Sequence, residues 1–423
     1  CGAEPENSNN AAGAPTAPAT AGSGVGLGGA ATNTSGSGGG ATLPNGGASA
    51  GTGVSEQGGQ SGAGGGGGAG GTGGATTPGD TTLPFKPSYI LGADISYTLQ
   101  EEAAGNKYAD ASGVRPLEQI MADNGFNYIR LRTFVCPTCQ GGYNRDGFCD
   151  TDHTIEMAKR VKACGMGIFL DFHMADTWVS LGTGASDSAL PSQWKGMTPA
   201  QMQAAAHDYT RGVIQKMTDA GVAPDMVQIG NETNAGMCGI PLSNWKDLSA
   251  LIAAGIQDVK DVNPKIVIWV QNGRPRPDSA GGNGFNAWVD KYLGSSGTKL
   301  AVDGVCGSTY GTTNNGDDWI ESFSHVLDNY KLPVMSCEYT VAAPDDQAGK
   351  LINTKVMRGF ADHRGWGSFI WEPTRYPEIN KNTLFTKTGN TYTTNAAMNA
   401  YPALAKSYGL PVPSGKCVGD KYD

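Results

Sequence analysis

The chain has 423 residues and a formal net charge of −9, with 39 acidic against 30 basic side chains. Four of the acids (Glu4, Glu6, Glu56, Asp80) precede residue 83, which leaves 39 − 4 = 35 against 30, or −5, on the remainder. An acidic chain with no basic stripe gives a nucleic-acid partner no footing, and no apolar run is long enough to span a bilayer as a helix.

Residues 1–80 hold 28 of the 64 glycines and no aromatic, lysine or arginine residue. Such a stretch cannot bury enough apolar surface to offset its ordering entropy, so 1–82 reads as a disordered Gly/Ser/Thr/Ala-rich linker and 83–423 as one folded domain. A chain that opens on Cys1 and continues into a long polar linker looks like a mature bacterial lipoprotein. On that reading a lipid on Cys1 is the sole membrane contact, the location is extracellular or cell-surface, and a monomer is expected.

From there, short apolar runs alternate with helical patterns. The expected strands are 90–94, 128–134, 167–172, 226–229, 266–270, 302–305, 333–337 and 367–371. Between them the apolar spacing predicts helices over 117–124, 153–164, 199–220, 248–262, 319–327 and 348–364. Strand and helix in repeated alternation predict parallel pairing, and eight strands predict an α/β fold, the closed (β/α)8 TIM barrel, whose active sites sit on the loops after the strands' carboxyl ends.

Eight cysteines (Cys136, Cys139, Cys149, Cys164, Cys238, Cys306, Cys337, Cys417) lie in this region, which in an exported chain suggests four disulfides of unassigned pairing. The run Cys136-Pro-Thr-Cys139 with Cys149 lacks a fourth ligand at finger spacing, so a stapled loop is expected rather than zinc. Cys164, on the apolar side of a helical pattern just before Gly165, also reads as an unpaired core thiol. No cofactor is implied, and no acidic loop has the spacing to assign a metal.

Four strand ends carry polar residues beside aromatics: Asp171-Phe-His173 with Asp176 and Trp178, Asn231-Glu232, Cys337-Glu338-Tyr339, and Trp371-Glu372-Pro373. Glu232 and Glu338 stand apart, since each follows an apolar run directly; they are 338 − 232 = 106 residues apart, about three βα units. Two carboxyls on one rim can cut a glycosidic bond if one is held protonated by apolar or like-charged surroundings and the other is kept ionised by cations and donors. Arg130 and Arg132 share a face of their strand with Tyr128 and point into the barrel, where they serve the carboxylates, an inner ion pair with Asp94 or Asp171, or both.

The ordered set Leu91-Gly-Ala-Asp-Ile-Ser96, Gly125-Phe-Asn-Tyr-Ile-Arg-Leu-Arg132, Asp171-Phe-His-Met-Ala-Asp-Thr-Trp178, Gln228-Ile-Gly-Asn-Glu-Thr-Asn-Ala-Gly236, Pro333-Val-Met-Ser-Cys-Glu338 and Phe369-Ile-Trp-Glu-Pro373 resembles glycoside hydrolase family 53, the arabinogalactan endo-β-1,4-galactanases. The resemblance implies that 83–423 is a retaining catalytic domain with Glu232 as general acid/base after strand four and Glu338 as nucleophile after strand seven. It further implies that Asn231 hydrogen-bonds the sugar 2-hydroxyl. Because the C–H face of a pyranose packs on an aromatic ring, Trp371 is expected beneath the sugar at the cleavage point, the alternative being that Trp178 and Trp371 fill the barrel mouth. His173, Asp176 and Trp178 then line the non-reducing side, and Tyr310 hydrogen-bonds Glu338. In a retaining enzyme the two carboxyls lie about 5 to 5.5 Å apart.

The loops depart from that family. After strand six the chain reads Gly307-Ser-Thr-Tyr-Gly-Thr-Thr313, after strand five Val270-Gln-Asn-Gly-Arg-Pro-Arg-Pro277, and the Cys136 to Cys149 segment is unfamiliar. The expected substrate is β-1,4-galactan, with another β-1,4-linked polysaccharide, or a glycan-binding lipoprotein on an impaired barrel, as alternatives.

Overall fold

The computed structural model describes residues 87, 89–277, 284–294, 300–310, 316–340, 356–374, 383–410 and 417. All lie within the segment Gly79–Asp423 of one compact unit; the other unit, Pro15–Pro78, and the whole 1–82 linker lie outside the described residues.

Eight parallel strands close on one another: β1 (Ile90–Asp94), β2 (Tyr128–Thr133), β3 (Gly167–Phe172), β4 (Met226–Ile229), β5 (Val267–Asn272), β6 (Gly304–Ser308), β7 (Val334–Tyr339) and β8 (Gly365–Trp371). Each pairs with its sequence neighbours, and β8 returns to β1 with Ile90 opposite Gly367 and Asp94 opposite Trp371. The described helices are α1 (Thr98–Ala103), α2 (Leu117–Asp123), α3 (Thr151–Ala163), α4 (Pro199–Asp219), α5 (Trp245–Val262), α6 (Phe285–Leu293), α7 (Gly316–Asn329) and α8 (Ala400–Ser407). Local chemistry starts them: Thr198 and Gln201 form a reciprocal capping box ahead of Pro199 in α4, and the Asp150 carboxylate accepts the His153 amide at the start of α3.

Strand alternation sorts the core into two layers. Outward residues such as Leu91, Ile129, Leu131, Ile168, Val227, Ile268 and Val305 pack beneath the helices, while Phe169, Met226, Trp269, Met335, Trp366 and Phe369 fill the barrel's interior. Space for the large inner rings comes from glycines on neighbouring strands. A Cβ on Gly92 would lie 2.3 Å from the Phe369 ring, on Gly167 2.2 Å from Tyr128 and on Gly304 2.4 Å from Trp269. A small residue beside each large one is how a narrow eight-stranded barrel packs without a pore.

Several expectations need correction. Strands β5, β6 and β7 run further toward their carboxyl ends than their apolar runs, through Asn272, Ser308 and Tyr339. Their last inward residues face the site and are polar, so the ladder continues where the apolar pattern stops. Glu338 therefore lies inside its strand, whereas Glu232 lies three residues past the end of β4, turned by Gly230 at φ +82° and itself at φ +43°. Of the helix expected over 348–364, residues 348–355 lie outside the described residues and Val356 and Met357 are helical; beyond them the expected helix does not continue to 364, since Asp362 and His363 take left-handed backbone, at φ 57° and 53°, in one short turn before β8. A small sheet, Phe385–Thr388, Thr391–Thr394, Lys107–Asp110 and Gly113–Val114, was not anticipated.

Two disulfides form where four were expected, Cys136–Cys139 and Cys164–Cys417, so Cys164 is not the free thiol its helical position suggested. Cys149, Cys238, Cys306 and Cys337 are buried thiols. They pack as small apolar groups, with the Cys238 thiol 3.1 Å from the Met174 carbonyl and Cys306 and Cys337 in the barrel's inner layer.

Candidate active site

Above the inner aromatic layer, the last inward positions of β1 to β7 are charged or polar. Arg130, on β2, is 1% exposed and donates through Nη1 to Asp94 Oδ2 at 2.8 Å. Through Nη2 it meets Asp171 Oδ2 at 3.0 Å, Glu338 Oε1 at 2.9 Å and Asn231 Oδ1 at 3.1 Å. Burial opposes its charge, but Asp171, Glu338 and Asp94 together hold its pKa above the ordinary arginine value. Arg132 pairs with Glu372 Oε1 at 2.7 Å and lies 4.4 Å from the ring centres of both Tyr97 and Trp178. The arginines thus do both things the sequence allowed, forming the inner ion pairs and reaching a catalytic-candidate carboxylate. Removing one member of such a buried set leaves an uncompensated charge, a cost of about 3–5 kcal/mol.

Glu232 and Glu338 are each 6% exposed and share one hydrogen-bond chain. Ser308 Oγ donates to Glu232 Oε1 at 2.7 Å, Gln271 Nε2 donates to Ser308 Oγ at 3.0 Å, and the same Nε2 donates to Glu338 Oε1 at 3.1 Å. The Leu181 amide adds a donor to Glu232 Oε2 at 2.9 Å, and the Tyr310 hydroxyl donates to Glu338 Oε2 at 2.8 Å. Their surroundings are unequal. Burial first, and then the Glu338 charge, push the Glu232 pKa up to about 8 against the hydrogen bonds from Ser308 and Leu181. Glu338 instead faces a guanidinium, an amide and a phenol.

The backbone approaches closely here. A Cβ on Gly273, just past β5, would lie 2.6 Å from Glu232 Cδ, so glycine is what lets the carboxyl sit where it does. Glu372, after β8, repeats the φ of +43° seen at Glu232 and is wholly buried. Left-handed backbone at non-glycine residues costs of order 1–3 kcal/mol each and persists where the surroundings over-determine it.

The remaining expected residues divide. His173 Nδ1 meets Asp171 Oδ2 at 2.9 Å, while its buried Nε2 has no partner among the described residues. Asn231 joins Arg130 and also donates to the Val179 carbonyl at 2.8 Å. Trp178 and Trp371 meet edge to face with centroids 6.3 Å apart, both only partly buried. Asp176 is tied up otherwise: Oδ1 accepts the Cys136 amide at 3.0 Å and Oδ2 the Ser192 amide at 2.7 Å, so it braces the loop after β2 against the loop after β3. Gln271, Ser308, Gly273 and the Leu181 amide were missed. The signal for the two side chains was present, since Gln271 follows inward Trp269, and Ser308 inward Cys306, at the two-residue period.

Residues 90–361 match the family model for glycosyl hydrolase family 53. The chain belongs to glycosyl hydrolase family 53. Among similar proteins, an arabinogalactan endo-β-1,4-galactanase A of Aspergillus niger is 31% identical over 317 residues, spanning 67% of this chain and 84% of that protein. An arabinogalactan endo-β-1,4-galactanase of Thermothelomyces thermophilus is 27% identical over 334 residues, spanning 70% and 95%. In fold, a solved fungal β-1,4-galactanase covers 73% of this chain and 98% of its own at a TM-score of 0.62 and 24% identity. The family 53 catalytic domain of Ignisphaera aggregans covers 77% and 98% at a TM-score of 0.59 and 24% identity. The family match ends before β8, so Trp371 and Glu372 lie outside it.

Proposed function

We propose that the protein is a retaining endo-β-1,4-galactanase in which Glu232 is the general acid/base and Glu338 the nucleophile. The observation that carries this reading is the unequal environment of two linked carboxyls, one held protonated near neutral pH by burial and by its neighbour's charge, the other ringed by donors. In the first step a Glu338 oxygen bonds to the anomeric carbon as the glycosidic C–O bond breaks, and the leaving oxygen takes the Glu232 proton. In the second, water attacks that carbon, gives its proton to Glu232 and releases Glu338 as a carboxylate.

Substrate is held by Trp178 and Trp371, whose partly buried rings offer apolar surface to the C–H faces of galactose, and by His173 Nε2 and Asn231 through hydrogen bonds to hydroxyls. Arg130 and Arg132 act on the sugar through Asn231, Glu338 and Trp178 rather than by direct contact, and Asp94 and Asp176 act as braces. β-1,4-Galactan as the substrate rests on the galactanases among the relatives. The two disulfides favour a working place outside the reducing cytosol.

Reducing-sugar release from β-1,4-galactan is the direct test. Wild type should release sugar with retained anomeric configuration at early times, read by NMR, and Glu338→Gln and Glu232→Gln should each lose on the order of 10³-fold or more in kcat. Formate or azide should restore turnover to a Glu338→Ala variant on an activated aryl galactoside. Undiminished activity in Glu338→Gln, or an inverted product, overturns the assignment.

A further inference from the structure

Every hydrogen-bond direction between the two glutamates is fixed by one group that can only donate. The Glu232 backbone N–H, 3.1 Å from the Gln271 side chain, requires the amide oxygen of Gln271 on that side. Gln271 Nε2 therefore faces the other way, with one hydrogen for Glu338 Oε1 and one for Ser308 Oγ. Ser308, already an acceptor there, turns its own hydrogen to Glu232 Oε1 at 2.7 Å. Gln228 Nε2 also donates to Gln271 Oε1 and reaches Asp171 Oδ1 at 2.9 Å, which anchors the amide to the ion-paired floor of the site.

Glu232 must work in two protonation states, as an acid when the bond breaks and as a base when water enters. With the carboxylate, the Ser308 hydroxyl donates to Oε1. With the acid, the same hydroxyl rotates, accepts the Glu232 proton on its second lone pair and keeps its bond from Gln271. The other described partner of the Glu232 carboxyl, the Leu181 amide, donates to Oε2 in either state, because that oxygen remains an acceptor when the proton sits on Oε1; only the Ser308 hydroxyl follows the proton at Oε1.

We propose that Ser308, oriented by Gln271, is the positioning residue that holds the Glu232 carboxyl in one geometry through both half-reactions, and that Gln271 couples that geometry to Glu338. This rests on the acid/base assignment above. The charged and titratable groups facing Glu232 among the described residues are Glu338 on β7, Arg130 on β2 and Tyr310 after β6. None of them takes Ser308's place on Oε1, because Arg130 and Tyr310 are engaged with Glu338, and Glu338 accepts from them and from Gln271.

The test is the pH dependence of kcat/KM on galactan for wild type, Ser308→Ala and Ser308→Thr. Ser308→Ala should lose roughly tenfold in kcat, the worth of one hydrogen bond to a charged group, with KM little changed. Its alkaline limb should move to higher pH, because a donor that favours the Glu232 carboxylate has gone. Ser308→Thr, which keeps the hydroxyl, should retain the wild-type limb. If Ser308→Ala fails to fold, Ser308→Cys, similar in volume and a weaker donor, must show the same upward shift. An unmoved limb in an active Ser308→Ala or Ser308→Cys variant, or a limb lost equally in Ser308→Thr, overturns the inference. A wild type inactive on galactan overturns the functional reading instead.

Discussion

Glu232, the proposed acid/base, illustrates how little room such a side chain needs to be given or denied. Its carboxyl lies against Gly273 so closely that one added methyl group would lie 2.6 Å from its Cδ, and the carboxyl would be the part to move. Gly273→Ala should therefore leave the melting temperature near that of wild type while kcat on galactan falls on the order of 10²-fold, the usual penalty for a displacement of about 1 Å. Calorimetry and steady-state kinetics together check it. A large loss of stability with activity per folded molecule unchanged would show the opposite division. The pair of glutamates was legible in the sequence because each followed an apolar run. Gln271 and Ser308 were not singled out: the two-residue period marks both as inward, but nothing in a glutamine or a serine alone separates a bridge from a solvated side chain.

At the scale of strands and loops, the apolar runs located all eight barrel strands but misjudged their ends, and the error has one cause. Where a strand approaches the site its inward residues turn polar, so β5 to β7 outlast the pattern used to find them. The glycines of the inner layer carry information of the same kind. Gly304 leaves space for the Trp269 ring, and its Cβ would lie 2.4 Å from that ring. Gly304→Ala should cost about 1–3 kcal/mol through overpacking, measured by urea unfolding, and should act through stability more than through kcat per folded enzyme. Asp176 belongs to this scale as well. As a residue it read as a sugar ligand, but its contacts make it the clamp between two loops, one of them stapled by Cys136–Cys139 and carrying Tyr143 to within 5.6 Å of Trp178.

For the whole molecule the site's electrostatics become a stability term. Folding raises the Glu232 pKa from an ordinary value of 4.5 to about 8, so between those pH values the folded state holds a proton that the unfolded chain releases. Stability therefore falls as pH rises through that window, and above it the buried charge costs of order a few kcal/mol. Glu232→Gln removes the cost: its melting temperature should match wild type near pH 4.5 and exceed it near pH 8.5, while activity is lost at both. A variant no more stable than wild type at the higher pH would argue that Glu232 is not the strained acid described above. The catalytic pH profile should follow the same group, with an alkaline limb in the region of pH 8.

The sequence by itself determined the alternation of strand and helix, the barrel class, and the two glutamates, because these follow from local periodicity and from the order of motifs along the chain. Tertiary structure alone decided what lies between the glutamates. The Ser308–Gln271 bridge, the clamp at Asp176 and the pairing of Cys164 with Cys417 join residues distant in the chain, and the last closes a separation of 253 residues. Only closure of the barrel brings such groups within hydrogen-bonding or covalent reach. The raised pKa of Glu232 has the same origin, since burial and a neighbour's field exist only once the chain has folded around it.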